Sequence, residues 1–503
     1  MGIQIINPLD YGAVGDGIND DTQAFMKIEE ENHNMLVNLL GKTYFVTKKF
    51  SGNIYLNGYF KINTILYDAP FQITRAGNTN VFSGKQAGES NDLYYEKSGG
   101  YRNVGIGELS LNKNGSNIQK SGWRNVAIGH SSMRDNIVGY NNVAVGDSAL
   151  ERNIGRIINS EGKPDRNDEG SRNTALGSYA LRYNVSGRGN VGIGRNAAHA
   201  NETGNYNTAV GTNAYSGTVT EGGQQDRKQA SENTAVGYNS LFNTNENRNT
   251  GVGAWSLYNN KTGIYNTIMG WRSAFSSTAN NRLISIGSST MRDLEGSGNH
   301  DNVAVGTEAM RYLKKGHSNT ALGDKALSYD VNGNPLTNVK NSIGVGKQSR
   351  VSGDNQLQLG SSGITTYAYG AIQNRSDKRD KADIKDTALG LEFILKLRPR
   401  DFKWDYRDEY IELNEDGSVT KLKKDGTKKR NRYHHGLIAQ EVKTVMDDLN
   451  VDFGGFQDHK MNNGNDILTI GYMELIAPLI KAIQDLNVKV ESLNLEIEEL
   501  KNI

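Results

Sequence analysis

The sequence predicts a mainly β protein whose central part is a parallel solenoid. Two observations carry this prediction: a short glycine-terminated motif recurs many times, and the distance between its copies is often the same. Composition agrees, because 58 of the 503 residues are glycine and only 6 are proline, as expected of a chain that turns often. A fixed short period indicates stacked repeats rather than one globular core.

The repeat array runs from about residue 79 to residue 360. Its unit is Asn, then Val or Thr, then usually Ala, then an aliphatic residue, then Gly, as at 142–146 and 207–211. A step of 17 residues recurs between the closing glycines, as from 129 to 146 and from 177 to 194. Longer steps are interpreted as insertions. The closing glycines stand at positions 84, 107, 129, 146, 177, 194, 211, 237, 253, 270, 287, 306, 323, 346 and 360.

Each repeat predicts short strands and tight corners. The residues three and one before each glycine share a face of an extended chain, and their aliphatic or β-branched character favours a short buried strand. Glycine allows the corner, while Asn fits turns and offers a side chain that can bond its counterpart one coil away. The common period accommodates two strands of about four or five residues and two turns. One coil buries little surface, so we expect partner chains.

The array resembles the head of trimeric bacterial adhesins, a left-handed parallel β-roll. It resembles more closely the Asn-Thr-Ala-(Val/Leu)-Gly repeats of phage tail fibres, through copies such as 207–211 and 319–323. The resemblance implies a homotrimeric fibre in which residues 79–360 form a β-roll stalk.

Residues 1–78 have a different pattern. The segment 12–22 reads Gly-Ala-Val-Gly-Asp-Gly-Ile-Asn-Asp-Asp-Thr, and it resembles the start of pectate-lyase-like tailspikes. Asp and Thr suit a helix start, so we predict a helix at 22–31, followed by two short strands about a turn at 57–58. The resemblance implies that 1–78 is a structural cap, through which the fibre attaches to a phage tail, baseplate or collar protein.

Three acids of this cap segment raise an alternative role. Asp16, Asp20 and Asp21 could serve as catalytic carboxylates, because glycoside cleavage uses a pair of acids. Acids in a loop before a helix more often cap that helix, and we favour capping.

The carboxy-terminal region differs again in composition. After a junction at 361–375, the sequence opens with Ser-Asp-x-Arg-x-Lys at 376–381 and later has Gly-Leu-Ile-Ala-Gln-Glu-Val at 436–442. Residues 376–503 resemble the intramolecular chaperone domain of the endosialidase type, also classed as peptidase family S74. The resemblance implies an α+β domain in a homotrimer that cuts its own chain at the Arg375–Ser376 bond.

The same resemblance implies the roles of the residues at the cut. Ser376 would be the nucleophile and Lys381 the general base, since a serine hydroxyl is a weak nucleophile until a base takes its proton. A lysine can act as that base only where burial or neighbouring positive charge lowers its pKa. Asp377 would orient the dyad or hold the turn. For His435, we consider an assisting role and favour a structural hydrogen bond.

A helix is predicted at 479–503. Its apolar residues repeat at steps of four and three, which is the seam of a coiled coil, with Ile or Val at position a and Leu at position d. This choice favours dimers in isolated parallel coils, whereas the family resemblance implies three chains. The seam residues are Leu479, Ile483, Leu486, Val490, Leu493, Ile497 and Leu500.

Composition excludes several functions. A formal net charge of +1 argues against general nucleic-acid binding, and the absence of cysteine excludes disulfides and thiolate metal sites. We see no signal peptide and no apolar run long enough for a membrane span. No cofactor and no metal are expected.

Some array residues are candidates for receptor contact. The polar insertions at 159–170 and 221–228 are predicted loops that leave the core, and loops without a function are an equal alternative. Trp123, Trp255 and Trp271 flank repeat units. Each could stack on a sugar, although packing between coils or chains is favoured.

Together these features predict a homotrimeric phage tail fibre or spike. It would be a virion component made in the host cytoplasm, and it would bind a glycan or protein receptor on the host surface. Its last domain would fold the fibre and then release itself, with no activity on an external substrate. The alternatives are a capsule polysaccharide depolymerase tailspike, suggested by the region 1–78, and a bacterial trimeric adhesin, disfavoured because we see no export signal or anchor.

Overall fold

The computed structural model of the chain contains two compact units. The first comprises Met1–Ser289 with Glu295–Ser297, and the second comprises Thr290–Leu294 with Gly298–Ile503. The residues that the structure describes are 5–31, 36–38, 42–46, 54–56, 59–62, 65–68, 72–73, 80–89, 101–114, 122–155, 169–217, 228–414, 419–462 and 464–502.

The first unit begins with a 3₁₀ helix at Pro8–Tyr11 and helix α1 at Thr22–Glu31, so the predicted helix is confirmed. Its strands are β1 (Ile5–Ile6), β2 (Asp16–Asp20), β3 (Leu36–Asn38), β4 (Thr43–Val46), β5 (Ile54–Leu56), β6 (Tyr59–Ile62), β7 (Ile65–Asp68) and β8 (Gln72–Ile73).

Two small sheets organise these strands. Strands β1, β3 and β5 are parallel, and β2, β4 and β6 form a second parallel set to which β7 pairs antiparallel. The two strands predicted on either side of residues 57–58 are present as β5 and β6. They lie in different sheets and therefore do not form a hairpin, because each pairs with the preceding strand of its own parallel set. The turn between them lies outside the described residues.

The repeat array forms parallel strands of three residues each. In the first unit β8 pairs antiparallel with the first of them, and all later neighbours pair parallel and in register. They are β9 (Val81–Ser83), β10 (Val104–Ile106), β11 (Val126–Ile128), β12 (Val143–Val145), β13 (Thr174–Leu176), β14 (Val191–Ile193), β15 (Thr208–Val210), β16 (Thr234–Val236), β17 (Thr250–Val252), β18 (Thr267–Met269) and β19 (Ile284–Ile286).

The second unit contains four more strands of the same kind. They pair parallel in sequence order, and they are β20 (Val303–Val305), β21 (Thr320–Leu322), β22 (Ile343–Val345) and β23 (Leu357–Leu359). All fifteen predicted closing glycines directly follow one of these strands. The prediction of a parallel solenoid is confirmed.

Two details of the coil differ from the prediction. Each described coil has one strand of three residues rather than two strands of four or five, and turns fill the remainder. The buried strand residue is the small middle one, such as Ala144, while its aliphatic neighbours Val143 and Val145 are partly exposed. The reason is space. A Cβ added to Gly192 at this middle position would lie 3.1 Å from Cγ of Leu181, so this coil has little room for a larger residue opposite Leu181.

The corner glycines are required by both backbone conformation and packing. Gly270, for example, has a φ of 131°, and a Cβ there would lie 2.2 Å from the carbonyl oxygen of Gly287 in the next coil. L-residues rarely adopt this conformation. The corners of successive coils therefore touch through bare backbone.

Buried asparagines link successive coils, as predicted. The backbone N–H of Asn142 donates to Oδ1 of Asn125 at 3.0 Å, and that of Asn207 donates to Oδ1 of Asn190 at 2.8 Å. Each of these side chains also donates through Nδ2 to a turn carbonyl, as Asn190 does to Gly204 at 2.8 Å. The side chains thus satisfy backbone groups that would otherwise be buried without partners.

The last part of the second unit is α+β. Its helices are α2 (Leu391–Lys396), α3 (Ala439–Leu449) and α4 (Ile476–Lys501), with 3₁₀ helices at Lys378–Asp380, Arg407–Tyr410, His459–Asn462 and Tyr472–Leu475. Its strands are β24 (Arg400–Lys403), β25 (Ile411–Leu413), β26 (Val419–Lys421), β27 (Tyr433–Gly436), β28 (Phe456–Asp458) and β29 (Leu468–Ile470), which pair antiparallel two by two. Phe393, Val442, Met446, Phe453 and Leu475 form its core.

Helix α4 confirms the predicted helix and begins three residues earlier. The backbone N–H of Leu391, at the start of α2, donates to Asp485 of α4 at 3.1 Å. All seven seam residues are 45–70% exposed in the single chain. In the described part of the chain, no helix is long and apolar enough to cross a membrane.

Candidate functional site

The segment around the predicted cut is a tight loop that brings Ser376 and Lys381 together. Asp377 caps the 3₁₀ helix Lys378–Asp380 by accepting a hydrogen bond from the backbone N–H of Arg379 at 2.9 Å. The turn reverses the chain, and Nζ of Lys381 donates to Oγ of Ser376 at 2.7 Å. Both side chains are exposed in the single chain.

A second contact spans the same loop. Nε of Arg375 donates to Oδ2 of Asp380 at 2.8 Å. The pairs 375–380 and 376–381 both join residues five apart, so they form two adjacent links across one turn. Asp380 is a residue that the sequence analysis missed. The sequence contained an indication of its role, because Asp380 lies five residues after Arg375, just as Lys381 lies five residues after Ser376.

Asp377 serves the turn rather than contacting the dyad directly. Its carboxylate also accepts from Nη2 of Arg379 at 2.6 Å. The Arg379 side chain, followed by the Arg379 backbone N–H, lowers the pKa of Asp377. The carboxylate therefore stays ionised and holds the cap in place near neutral pH.

His435 lies on a paired strand. Its Nδ1 is 2.6 Å from Oδ1 of Asp401, and the two residues face each other between β24 and β27. This contact links the His435 side chain to the neighbouring strand. The hydrogen-bond partner that the structure gives to Oγ of Ser376 is Lys381.

The second motif, 436–442, connects strand β27 to helix α3. Gly436 has no room for a side chain, because a Cβ would lie 2.4 Å from the Tyr472 hydroxyl. Glu441 accepts from Arg400 at 2.6 Å, and the Arg400 side chain lowers the pKa of Glu441. Val442 is buried in the core. This motif therefore stabilises the domain that follows the loop 375–381.

Within the second unit, the last coil contacts the α+β part. The backbone N–H of Asn465 donates to the carbonyl of Ser352 at 2.6 Å. Oγ of Ser352 and Nε2 of Gln356 both contact Nδ1 of His459, and burial lowers the pKa of His459. No sequence motif marked these residues, because they are about one hundred positions apart and only folding brings them together.

The acids of the first unit act on their own loop. Asp21 accepts from the backbone N–H of Val14 at 2.6 Å. Backbone hydrogen bonds from Asn19 and Ile18 lower the pKa of Asp16, and the Thr22 hydroxyl and N–H lower that of Asp20. These contacts are those of loop and helix caps. Among the described residues, no cluster of three or more His, Cys, Asp or Glu residues could hold a metal ion.

The tryptophans divide into two groups. Trp123 stacks between Tyr101 and Tyr140, with ring centroids 5.9 and 4.5 Å away, and Trp255 packs against Tyr258 at 4.9 Å. Both tryptophans therefore pack against other aromatic rings. Trp271 is 50% exposed. Most of the two predicted insertion loops, 159–170 and 221–228, lies outside the described residues.

Comparison with known proteins identifies the carboxy-terminal region. Residues 376–450 match the family described as the chaperone of endosialidase. This region is thus an intramolecular chaperone domain, and the match begins at Ser376, the serine of the dyad. A comparison with curated proteins finds no match.

Proposed function

We propose that this protein is a homotrimeric phage tail fibre or tailspike that attaches the virion to a host surface, and that it matures by cutting its own chain at Arg375–Ser376. The observation that carries the proposal is the Ser376–Lys381 pair, 2.7 Å apart, at the first residue of the chaperone-family match. Residues 1–78 would attach to the virion, the roll would reach the host, and residues 376–503 would assemble the trimer.

Exposed apolar surfaces support a trimer. The outward strand residues form an apolar face on the parallel strands of each unit, where an aqueous monomer rarely keeps so much apolar surface. These residues include Ile106, Ile128, Val143, Leu176, Ile193, Met269, Ile284, Ile286, Leu322, Ile343 and Val345, each at least 36% exposed. The exposed seam of α4 is a second such surface. Two further copies of the chain would cover both.

A chaperone at the carboxy terminus would set the register between chains, which the repeats alone define poorly. Because the coils resemble one another, two neighbouring chains could pair with their register shifted by one coil and still make most of their contacts. Long-range β pairing is also slow and leaves sticky edges exposed. A helical seam and a folded domain after the array would set the register before the coils pair. Cutting afterwards would make unfolding hard to reverse and the fibre kinetically stable.

The proposed cut is an acyl shift followed by hydrolysis. Oγ of Ser376 attacks the carbonyl carbon of Arg375 while the neutral Lys381 amine takes the hydroxyl proton. Lys381 then returns this proton to the Ser376 nitrogen, the C–N bond breaks, and an ester joins Arg375 to Oγ. Water attacks the ester, which leaves the Arg375 carboxylate, the Ser376 hydroxyl and a new amino terminus. Trimer packing over the loop would supply the burial that keeps the lysine neutral.

Expression of the whole chain tests the proposal. We expect two products by mass spectrometry, 1–375 and 376–503, and a trimer by light scattering. Ser376→Ala and Lys381→Met should each leave a single full-length band, because one removes the nucleophile and the other the base. Ser362→Ala, in the exposed junction, is the matched control and should be cut normally. A cut that persists in Ser376→Ala would refute the assignment.

A further inference from the structure

The first unit carries a row of arginine and aromatic side chains at one corner of its coils. In each of ten successive coils, the row contains the two residues that precede the asparagine at the start of the strand. It runs from Tyr101–Arg102 to Asn281–Arg282, and in the last of these coils Leu283 takes the place of the asparagine. We call it the basic row. Its arginines are Arg102, Arg124, Arg172, Arg188, Arg248 and Arg282, and its aromatic residues are Tyr101, Trp123, Tyr140, Tyr206 and Tyr265.

Backbone hydrogen bonds place these residues directly above one another. The N–H of Arg124 donates to the carbonyl of Tyr101 at 3.0 Å, and the N–H of Arg172 donates to the carbonyl of Tyr140 at 2.9 Å. The N–H of Tyr206 likewise donates to the carbonyl of Arg188 at 3.0 Å. Parallel coils stack at about 4.8 Å, so the row is a linear array of evenly spaced side chains.

The aromatic rings hold the guanidinium groups at the surface. The Arg124 guanidinium lies 4.6 Å from the Trp123 ring centroid, and that of Arg188 lies 5.6 Å from the Tyr206 ring centroid. A cation above a ring is attracted to its face, which limits side-chain motion. Ordered arginines lose less conformational entropy when they bind an anion.

The row is strongly biased in charge. It has six arginines and one acid, Glu232, which pairs with Arg248 at 2.7 Å. The whole chain has 57 basic and 56 acidic residues, so the bias is local. The equivalent positions of the second unit show no such excess, since they include Asp301, Lys340 and Asp354.

The backbone indicates that the arginines are present for their side chains. Arg102, Arg124 and Arg248 have φ values of 60°, 56° and 61°, in the left-handed region where a non-glycine residue costs stability. One coil of the row has Gly189 there, with a φ of 64°. Glycine would be less strained, yet five coils use arginine at this position.

We infer that the basic row binds a linear polysaccharide that carries carboxylates, laid along the stacked coils. The inference rests on the proposed host attachment and names the class of receptor. Guanidinium groups bind carboxylates in bidentate geometry. The asparagines of the row, such as Asn141 and Asn205, would bind sugar hydroxyls.

The ring geometry favours a polysaccharide over a nucleic acid. Single-stranded nucleic acids bind by stacking bases on open aromatic faces. Trp123 has Tyr101 and Tyr140 stacked beside it with interplanar angles of 6° and 4°, and Arg124 lies over its ring. Around Trp123, the row therefore presents guanidinium groups, amides and ring edges rather than open faces.

The test uses the full chain, after confirming that it is cut and trimeric. Binding to immobilised polygalacturonate is measured for the wild type, for Arg102→Gln with Arg124→Gln, and for Arg195→Gln with Arg272→Gln. The control pair removes the same charge from arginines that follow the strands. We expect the row variant to bind about tenfold more weakly or worse, the control to bind within about twofold of the wild type, and none to bind dextran.

Three results would overturn the inference. They are a cut, trimeric fibre that binds no polygalacturonate, a control pair that loses as much affinity as the row pair, and a DNA duplex that binds more tightly than polygalacturonate. Equal melting temperatures of the variants establish that lost binding is not lost folding. Failure of the proposed function is seen separately, as an uncut or monomeric product before any binding is measured.

Discussion

At the scale of residues, the candidate site is almost entirely local. The short segment 375–381 contains the proposed cleavage bond, the proposed nucleophile and base, the cap and both links across the turn. This is why the sequence predicted the pair Ser376 and Lys381. Holding the Arg375 side chain also limits rotation about the φ and ψ angles of Arg375, and a fixed orientation of its carbonyl group favours attack.

Asp380→Asn tests the second link. The variant keeps the side-chain shape and removes the charge that pairs with Arg375, so we expect the cut to slow by about two- to fivefold, the range that an exposed ion pair supports. The rate is followed by the appearance of fragment 376–503 on a denaturing gel.

Two further variants show whether a slower cut in Asp380→Asn is due to the loss of the contact with Arg375. Asp383→Asn, an exposed acid outside the loop, should cut at the wild-type rate. Exchanging the charges, with Arg375→Asp and Asp380→Arg, should recover part of the rate. If Asp380→Asn alone cuts as fast as the wild type, the link has no part in positioning.

At the scale of elements, the coil is governed by how little space it encloses. The small strand residue Gly192 faces the buried Leu181, and the aliphatic strand residues are partly exposed. Alternation along a strand predicts which residues share a face, but it does not say which face is inside. The sequence pattern favours the more apolar face as the inner one, and the structure places that face outward in the single chain.

Gly270→Ala tests the corner geometry. The added methyl would lie 2.2 Å from the Gly287 carbonyl oxygen, at a φ of 131°, so we expect a loss of about 2 kcal/mol or more in the free energy of unfolding. Thermal unfolding of the full chain measures it. Gly363→Ala, with nothing within 4 Å of the new methyl, should melt as the wild type does. Equal melting of the two variants would contradict the close corner contact.

At the scale of the whole molecule, assembly follows from repetition. The strand motif recurs in every coil and would define the register of a trimer only weakly, whereas the α+β domain and helix α4 occur once. The contact of Ser352 with Asn465 and His459 joins that domain to the last coil within the second unit. Assembly from this end would therefore begin on a folded coil.

Deleting residues 376–503 tests the order of assembly. We expect aggregated or unfolded protein, because the exposed apolar strand faces would then pair without a set register. Full-length Ser376→Ala is the control, since it keeps the domain and cannot cut, and it should still form a soluble trimer. An SDS-resistant trimer from the truncated chain would rule out the chaperone role.

The sequence by itself determined the features that depend on neighbours along the chain. The fifteen strand positions followed from the glycine motif, helix α1 from its capping residues and α4 from its heptad spacing. The pairing of Ser376 with Lys381 was implied by the resemblance of the motif at 376–381 to the chaperone family. In each case the residues that interact lie within about one repeat of each other, so their pattern can be recognised in the sequence.

Only the tertiary structure decided what depends on residues distant in sequence. It separated β5 from β6 into different sheets, reversed the inner and outer faces of the coil, and brought His459 to Ser352. It also aligned the basic row, whose members belong to different coils and are separated along the chain by most of a repeat or more, yet stack as neighbours. The physical reason is that parallel pairing between coils, and not chain proximity, places these groups together.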